Sequence, residues 1–460
     1  MFHKVLIANR GEVAVRIARA CRSLGISPVG ISSEADYGAP WLERMDEVVM
    51  IGGFAPSESY LRGELVLQAA LQTRCTAIHP GWGFLAEDPR FAALCEQHGV
   101  TWIGPSPAVM AQMALKTPAK RAMLKAGLQG IPGSDGLLTD VDEACKCAEE
   151  VGYPIIVKAD AGGGGRGMRL CRNEADLLEA FPSARAEAKS AFGNGALYLE
   201  RYLEGGRHIE VQILADKFGK AIHLGERECS VQRSHQKLIE ESPSPALTKE
   251  ERQRLGRSAA RAAAAIGYVG AGTIEFLLED SGRLCFIEMN TRLQVEHPVT
   301  EAVTGIDIVQ KQIEIAANQH LGIEQVEVTS KGASIECRIN AEDPHDGFKP
   351  SPGVLERFEL GLDAGPGLVR IDTHMQAGDE VSPYYDSLLA KIITFGKTRE
   401  DAIETMLASL RTTVIEGVKT TIPLHIDVLN SKEFRKGEYD TSKIPGWNPD
   451  GSVAAQLKEN

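Results

Sequence analysis

The chain has 460 residues, with 50 Lys and Arg against 63 Asp and Glu, a formal net charge of −13, 43% hydrophobic and 25% charged content. At ~150 residues per domain that length allows about three domains with a large core, and the composition excludes a disordered, collagen-like or coiled-coil chain. An acidic chain without a basic tract has nothing to hold a polyanion, which excludes nucleic acid and anionic membrane as partners but not a small anion in a local positive pocket.

Met1-Phe-His-Lys-Val-Leu-Ile-Ala8 reads as a strand from the start, without the regions of a signal peptide. The longest uncharged apolar stretch, residues 262–274, falls short of the ~20 residues that span a bilayer. Nine scattered cysteines show no zinc or redox spacing, so the expectation is free thiols in a reducing, cytoplasmic setting.

Short apolar runs alternate with helical periods over residues 1–113. Strands are expected at residues 5–8, 28–31, 48–51, 76–79 and 101–103, and helices at 12–24, 58–71 and 89–98. That pattern predicts a Rossmann-like α/β domain, a parallel sheet with helices on both faces. Its first turn, Asn9-Arg-Gly-Glu-Val-Ala14, lacks the dinucleotide fingerprint. A helical linker is expected over 107–127 and a turn at 132–136. A strand at 155–158, a glycine run, a strand at 168–171 and a helix at 174–192 follow. Beyond them the pattern predicts a helix at 249–266, a strand pair over 272–290, an extended segment through 296 and a helix at 306–319. The chain is strand-rich from about 332, with a late helix near 399–410 and a loose tail at 448–460.

Three segments carry candidate chemistry. Lys158-Ala-Asp-Ala-Gly-Gly-Gly-Gly-Arg-Gly167 can bring backbone N–H groups close to a phosphate. It joins two strands, unlike a P-loop, and no kinase element accompanies it. In residues 287–296 an extended chain would put Glu288, Asn290, Arg292, Gln294 and Glu296 on one face. Pairing Glu279 with Leu284 would set Glu275 opposite Glu288, two carboxylates that repel unless a cation lies between them. The pattern fits either an edge strand with one wet face or a site for Mg²⁺ or Mn²⁺ on Glu275, Glu288 and Asn290. The third segment, residues 228–241, is dense in polar groups that include Gln232, His235 and Lys237.

Together these residues resemble biotin carboxylase, a member of the ATP-grasp family. The likeness runs through Ile7-Ala-Asn-Arg-Gly-Glu12, His79-Pro-Gly-Trp-Gly-Phe84, the glycine loop, the segment from Gln232 to Lys237 and Glu288-Met-Asn-Thr-Arg-Leu-Gln-Val-Glu-His-Pro298. It continues in Glu336-Cys-Arg-Ile-Asn-Ala-Glu342 and Tyr384-Tyr-Asp-Ser387. The resemblance implies a pre-ATP-grasp domain over 1–113, an ATP-grasp domain over 114–330 with a lid at about 131–203, and a strand-rich C-terminal domain over 331–447.

It also implies a reaction: ATP, with Mg²⁺ or Mn²⁺, phosphorylates bicarbonate to carboxyphosphate, and the carboxyl group passes to biotin on a separate carrier protein. ATP would lie against Lys116, Lys158, Gly162, Gly163, Gly164, Gly165, Gly167, Glu200, Arg201, Tyr202, Leu203, His208, Gln232, His235, Glu275 and Glu288. Bicarbonate would meet Lys237, Arg292, Gln294 and Val295, with Glu296 as general base, and Arg338 would steady the biotin anion beside Trp82. The implied partners are a biotin carboxyl carrier protein, carboxyltransferase subunits and a second copy of the chain, most commonly within acetyl-CoA carboxylase, with pyruvate or other acyl-CoA systems as alternatives.

The chain departs from the family pattern at Ala114 and Leu115, where Gly-Asp usually precedes Lys116. It departs again at Trp82 for Tyr, Arg201 for Lys and Ser234 for Arg. Two other readings remain. Another ATP-grasp ligase joining a carboxylate to an amine would not need the Arg292-to-Glu296 array or Arg338, and a silent paralogue would rest on the departures at Ala114, Leu115, Trp82 and Ser234 alone.

Overall fold

Val5, Leu6 and Ile7 are all fully buried, as a strand covered on both faces requires. The computed structural model describes residues 1–160, 168–362 and 365–447. The expected phosphate loop (Gly162, Gly163, Gly164, Gly165 and Gly167) and the expected tail 448–460 lie outside the described residues.

Five parallel strands form the first sheet, in the order Glu47–Gly52, Ser27–Ser33, Lys4–Ile7, Ala77–His79, Thr101–Trp102. Chain order reverses between Lys4–Ile7 and Ala77–His79, and at such a switch point a crevice opens beyond the carboxyl ends of the strands. Asn9 stands there, and its Nδ2 donates to the carbonyls of Pro80 and Trp82, each at 2.7 Å. This places Trp82 at the crevice. The expected helix at 58–71 begins only at Gly63, because Pro56 first opens a short 3₁₀ turn that ends at Glu58.

The expected linker helix at 107–127 is two helices, Pro107–Ala114 and Lys116–Lys125, broken at Leu115. Asp160 explains the break. Its carbonyl accepts from the Lys116 N–H (3.2 Å) and its side chain from the Thr117 N–H (2.8 Å), capping the second helix from the bend just after strand Ile155–Ala159.

A small antiparallel sheet follows, in the order Met168–Cys171, Ile155–Ala159, Leu197–Arg201, backed by the helices Val141–Val151 and Glu174–Phe192. Ile155, Val157, Leu197 and Leu199 join Leu177, Phe181 and Ala184 in a core of their own. Alternation turns Ile156, Lys158, Tyr198 and Glu200 to the opposite face.

The largest sheet has eight strands. Their order is Leu284–Asn290, Gly270–Leu278, Arg207–Ala215, Ala221–Arg233, Gln236–Ser242, Ala333–Asn340, Leu388–Gly396, Leu368–Thr373. It runs without a break across position 330. Residues 228–241, read from sequence only as a polar segment, form a hairpin whose turn residues Ser234 (φ 48°) and His235 (φ 66°) both adopt left-handed backbone. Helix Lys249–Ala265 packs small residues (Ala259, Ala262, Ala263) over the sheet, with Thr248 and Glu251 capping each other's backbone N–H groups.

Two expectations fail near residue 296. The strand stops at Asn290, and a helix the pattern did not predict, His297–Thr304, precedes Ile308–Ala316, the observed form of the helix expected at 306–319. Period-two polarity persists through residues 291–296, but Glu87 takes the Thr291 N–H (2.8 Å) and turns the chain out of the sheet. Among the described residues no helix is long and apolar enough to cross a membrane.

Candidate active site

Glu275 does pair with Glu288, though by a different route from the expected turn. Leu278, not Glu279, faces Leu284, and a bulge between the Phe276–Phe286 and Glu275–Glu288 pairs restores the register. Each carboxylate carries its own cation. Glu288 is ion-paired with Lys116, while Glu275 meets Lys237 Nζ at 3.0 Å, His208 Nε2 at 3.2 Å and Asn290 Nδ2 at 2.8 Å.

Beyond Asn290 the expected flat face is replaced by a folded loop. Arg292 bridges it: Nε donates to Glu87 (2.9 Å), Nη2 to Asn290 Oδ1 (3.1 Å) and Nη1 to Gln294 Oε1 (3.1 Å). Glu296 then arrives at the mouth of helix His297–Thr304 and is fully buried. The Gln294 amide is buried too, and its Nε2 has no hydrogen-bond partner among the described residues. An unfilled buried donor costs stability unless a ligand accepts from it.

Lys237 ties the centre together. Its ammonium lies 2.6 Å from Glu210 Oε2, 2.6 Å from Glu296 Oε1 and 3.0 Å from Glu275 Oε1. The second oxygen of Glu296 takes Arg338 Nη2 at 2.9 Å, and Arg338 Nε reaches Glu240 at 2.7 Å. Arg227, wholly buried, closes on Glu210 at 2.5 Å. Burial alone would raise the Glu296 carboxyl, but Lys237, Arg338 and Arg227 hold it well below the usual carboxylate range. Burial likewise opposes ionisation of Glu275, and Lys237 and His208 keep it ionised. The Val295 carbonyl is fixed by Lys391 Nζ (3.0 Å), which also sits 3.0 Å from Glu12.

At the other end, Glu200 receives Lys158 and Lys120 on separate oxygens, each at 2.9 Å. Beside it Arg201 pairs with Glu279 (3.1 Å), while the Tyr202 N–H bonds the Pro154 carbonyl (2.9 Å) and Leu203 is half-buried. Gln232 lies across the hairpin from Lys237, and His235 stands exposed at the turn.

The structure thus joins Glu275, Asn290, Arg292, Gln294, Glu296, Lys237, His208 and Arg338 in one contact network. Lys116 with Glu288 and Lys158 with Glu200 form separate pairs. Of the departures, Ser234 is exposed in the turn and Leu115 lies at the helix break, so Lys116 is oriented by Glu288 instead of a preceding carboxylate.

Sequence reasoning missed Glu87, Lys120, Glu210 and Arg227, while Glu240, an ion-pair candidate within the polar segment, pairs with Arg338. Two carried a usable signal: Glu210 shares a strand face with His208, and Lys120 lies one helical turn from Lys116. For a divalent cation, Glu275 and Glu288 are paired hard-oxygen donors on adjacent strands, with the Asn290 carbonyl beside them, which fits Mg²⁺ or Mn²⁺.

The parallel α/β domain, with its switch-point crevice, is thus followed by two antiparallel sheets that bring opposed acidic and basic side chains together. Three family models match: "Biotin carboxylase, N-terminal domain" over residues 1–110, "Carbamoyl-phosphate synthase L chain, ATP binding domain" over 116–324, and "Biotin carboxylase C-terminal domain" over 336–445. The chain is 49% identical over 453 residues to Biotin carboxylase 1 of Bacillus subtilis, covering 98% of this chain and 100% of the relative. It is 48% identical over 441 residues to a pyruvate carboxylase subunit of Methanothermobacter thermautotrophicus, covering 96% and 89%. The biotin carboxylase domain dimer of Hydrogenobacter thermophilus 2-oxoglutarate carboxylase, solved with MgADP, ADP and bicarbonate, superposes with a TM-score of 0.92 at 50% identity, covering 96% of each chain. The chain belongs to the biotin carboxylase family of ATP-dependent ligases.

Proposed function

We propose that the chain is the biotin carboxylase subunit of a multi-subunit carboxylase, carboxylating biotin on a separate carrier protein with ATP and bicarbonate. The observation that carries this reading is Glu296, buried and held ionised between Lys237 and Arg338, next to the unfilled amide of Gln294. Bicarbonate must lose a proton to attack the terminal phosphate, and Glu296 is the carboxylate in reach of an anion held by Lys237, Arg292 and Gln294. While Lys237 rests on Glu296 the carboxylate is a weak base. An arriving anion that draws Lys237 away makes it a stronger one. Arg338, released from Glu296 in the same exchange, offers its guanidinium to the biotin anion.

Lys116, Lys158 and the glycine loop at 162–167 bind the phosphates. Residues 131–203 act as a lid that keeps water from carboxyphosphate. Glu275, Glu288 and Asn290 would hold the divalent cation, which supplies charge neutralisation for the phosphates. The relatives belong to carboxylases of acceptors as different as pyruvate and 2-oxoglutarate at nearly equal identity, which fits a site the final acceptor never enters. Acetyl-CoA is the first acceptor to assay.

The test is ATP hydrolysis with Mg²⁺ and bicarbonate, with and without free biotin. Bicarbonate-dependent, biotin-stimulated turnover is expected. An amine-dependent rate without a biotin effect, or nucleotide binding without turnover, would overturn the proposal.

A further inference from the structure

Glu200 is only 6% exposed, yet its carboxylate serves two lysines from different elements. Lys158 comes from the lid sheet, and Lys120 comes from helix Lys116–Lys125, which lies outside it. Lys116 and Lys120, four residues apart, leave the same face of that helix, while Ala119 and Met123 turn into the core. One helix therefore reaches Glu288 on the central sheet and Glu200 on the lid sheet.

Charge decides what this arrangement does. If Glu200 faced Lys158 alone, the two would form a closed neutral pair, and a phosphate would have to break it. With Lys120 on the second oxygen the triad keeps one net positive charge, and Lys158 is the more exposed of its two lysines. In a half-dry site such a charge attracts a phosphate far more strongly than it would in water. Gly130 lies against the lysine stem: a Cβ there would come 3.1 Å from Leu124 Cδ2 and 3.3 Å from Lys120 Cε. Beside it a cavity of about 240 Å³, lined by Thr117, Arg121, Ser134 and Tyr198, gives a substituted side chain room.

We infer that Lys120 is a positioning residue for the nucleotide: by sharing the Glu200 carboxylate it leaves the Lys158 ammonium only partly compensated, so that a phosphate can draw it away. The inference rests on the proposed nucleotide site at Lys158 and Glu200, and goes beyond it in naming a residue that no resemblance supplies.

The experiment is a set of steady-state assays. Lys120→Met should raise KM for ATP roughly tenfold, the size of one lost charge-assisted interaction, with a smaller change in kcat and no change in KM for bicarbonate. Lys120→Arg should restore most of the loss. In a Glu200→Gln background, where no charge needs balancing, adding Lys120→Met should change KM by less than about twofold. An unchanged KM in Lys120→Met, or a full second loss in the Glu200→Gln background, would overturn the inference. Lys158→Met separates the two failures: if it leaves KM for ATP at the wild-type value, the nucleotide-site reading falls as well. If it raises KM while Lys120→Met does not, only the role of Lys120 falls.

Discussion

Glu296 is buried and ionised, has an unfilled donor nearby, and on the proposed reading acts as base once an anion displaces the cations on its oxygens. Glu296→Gln keeps the shape and removes the proton acceptor. Bicarbonate-dependent ATP hydrolysis should fall by about 10²–10⁴-fold, with nucleotide affinity nearly unchanged in an equilibrium titration. Turnover surviving within a few-fold would show that another group takes the proton. Arg338 touches Glu296 by one nitrogen only, so Arg338→Ala should spare bicarbonate-dependent hydrolysis more than carboxylation of free biotin. Equal losses in parallel assays would contradict its part in holding the biotin anion. At this scale the sequence showed which residue types to expect but not which ones meet. Lys237, Glu210 and Glu296 come from three separate elements, and no spacing rule links side chains 27 or 59 positions apart.

Among the elements, strands were the more legible, because short apolar runs between helical periods mark a buried sheet wherever the backbone stays extended. The strand that leads to Glu296 was read too long. Polar alternation is also what a loop shows when its side chains turn alternately to a neighbour and to a pocket, and the Glu87 carboxylate that bends this one lies some two hundred positions away. The opposition of Glu275 and Glu288 was legible because a one-residue error at the turn was cancelled by a bulge, a feature no periodicity reveals. The hinge of the lid sheet offers a test of its own. Gly133 lies so close to strand Leu197–Arg201 that a Cβ would come 2.3 Å from the Leu199 carbonyl oxygen. Gly133→Ala should therefore displace Glu200, raise KM for ATP and cost about 1–3 kcal/mol in a urea unfolding titration. An unaltered midpoint and KM would mean the hinge has slack.

Across the whole molecule, buried charges from distant segments pull stability in two directions with pH. Glu275, Glu296 and Asp372 have folded pKa values below their unfolded ones. Burial opposes this, and Lys237, Lys391 and their neighbours outweigh it. Their contribution is present above the ordinary carboxylate range and is lost as pH falls through the folded values. Glu336 runs the other way. Burial raises it, and neither of its oxygens has a hydrogen-bond partner among the described residues. Its contribution is present below the ordinary carboxylate pKa and lost as pH rises through the folded value. Glu336→Gln should accordingly stabilise the protein more at pH 8 than at pH 5, read as the shift of the urea midpoint. A shift equal at both pH values would place the Glu336 pKa elsewhere. Lys391→Met strands the Glu12 carboxylate, leaves Asp372 to its arginine partners and frees the Val295 carbonyl. It should cost about 3–5 kcal/mol of stability and lower bicarbonate-dependent turnover in the variant that still folds.

The ammonium of Lys391 has a consequence for synthesis. It steadies the backbone next to Glu296 while drawing its charge partners from residue 12 and residue 372. The loop that carries Glu296 therefore reaches its final form only once residues 372 and 391 have left the ribosome.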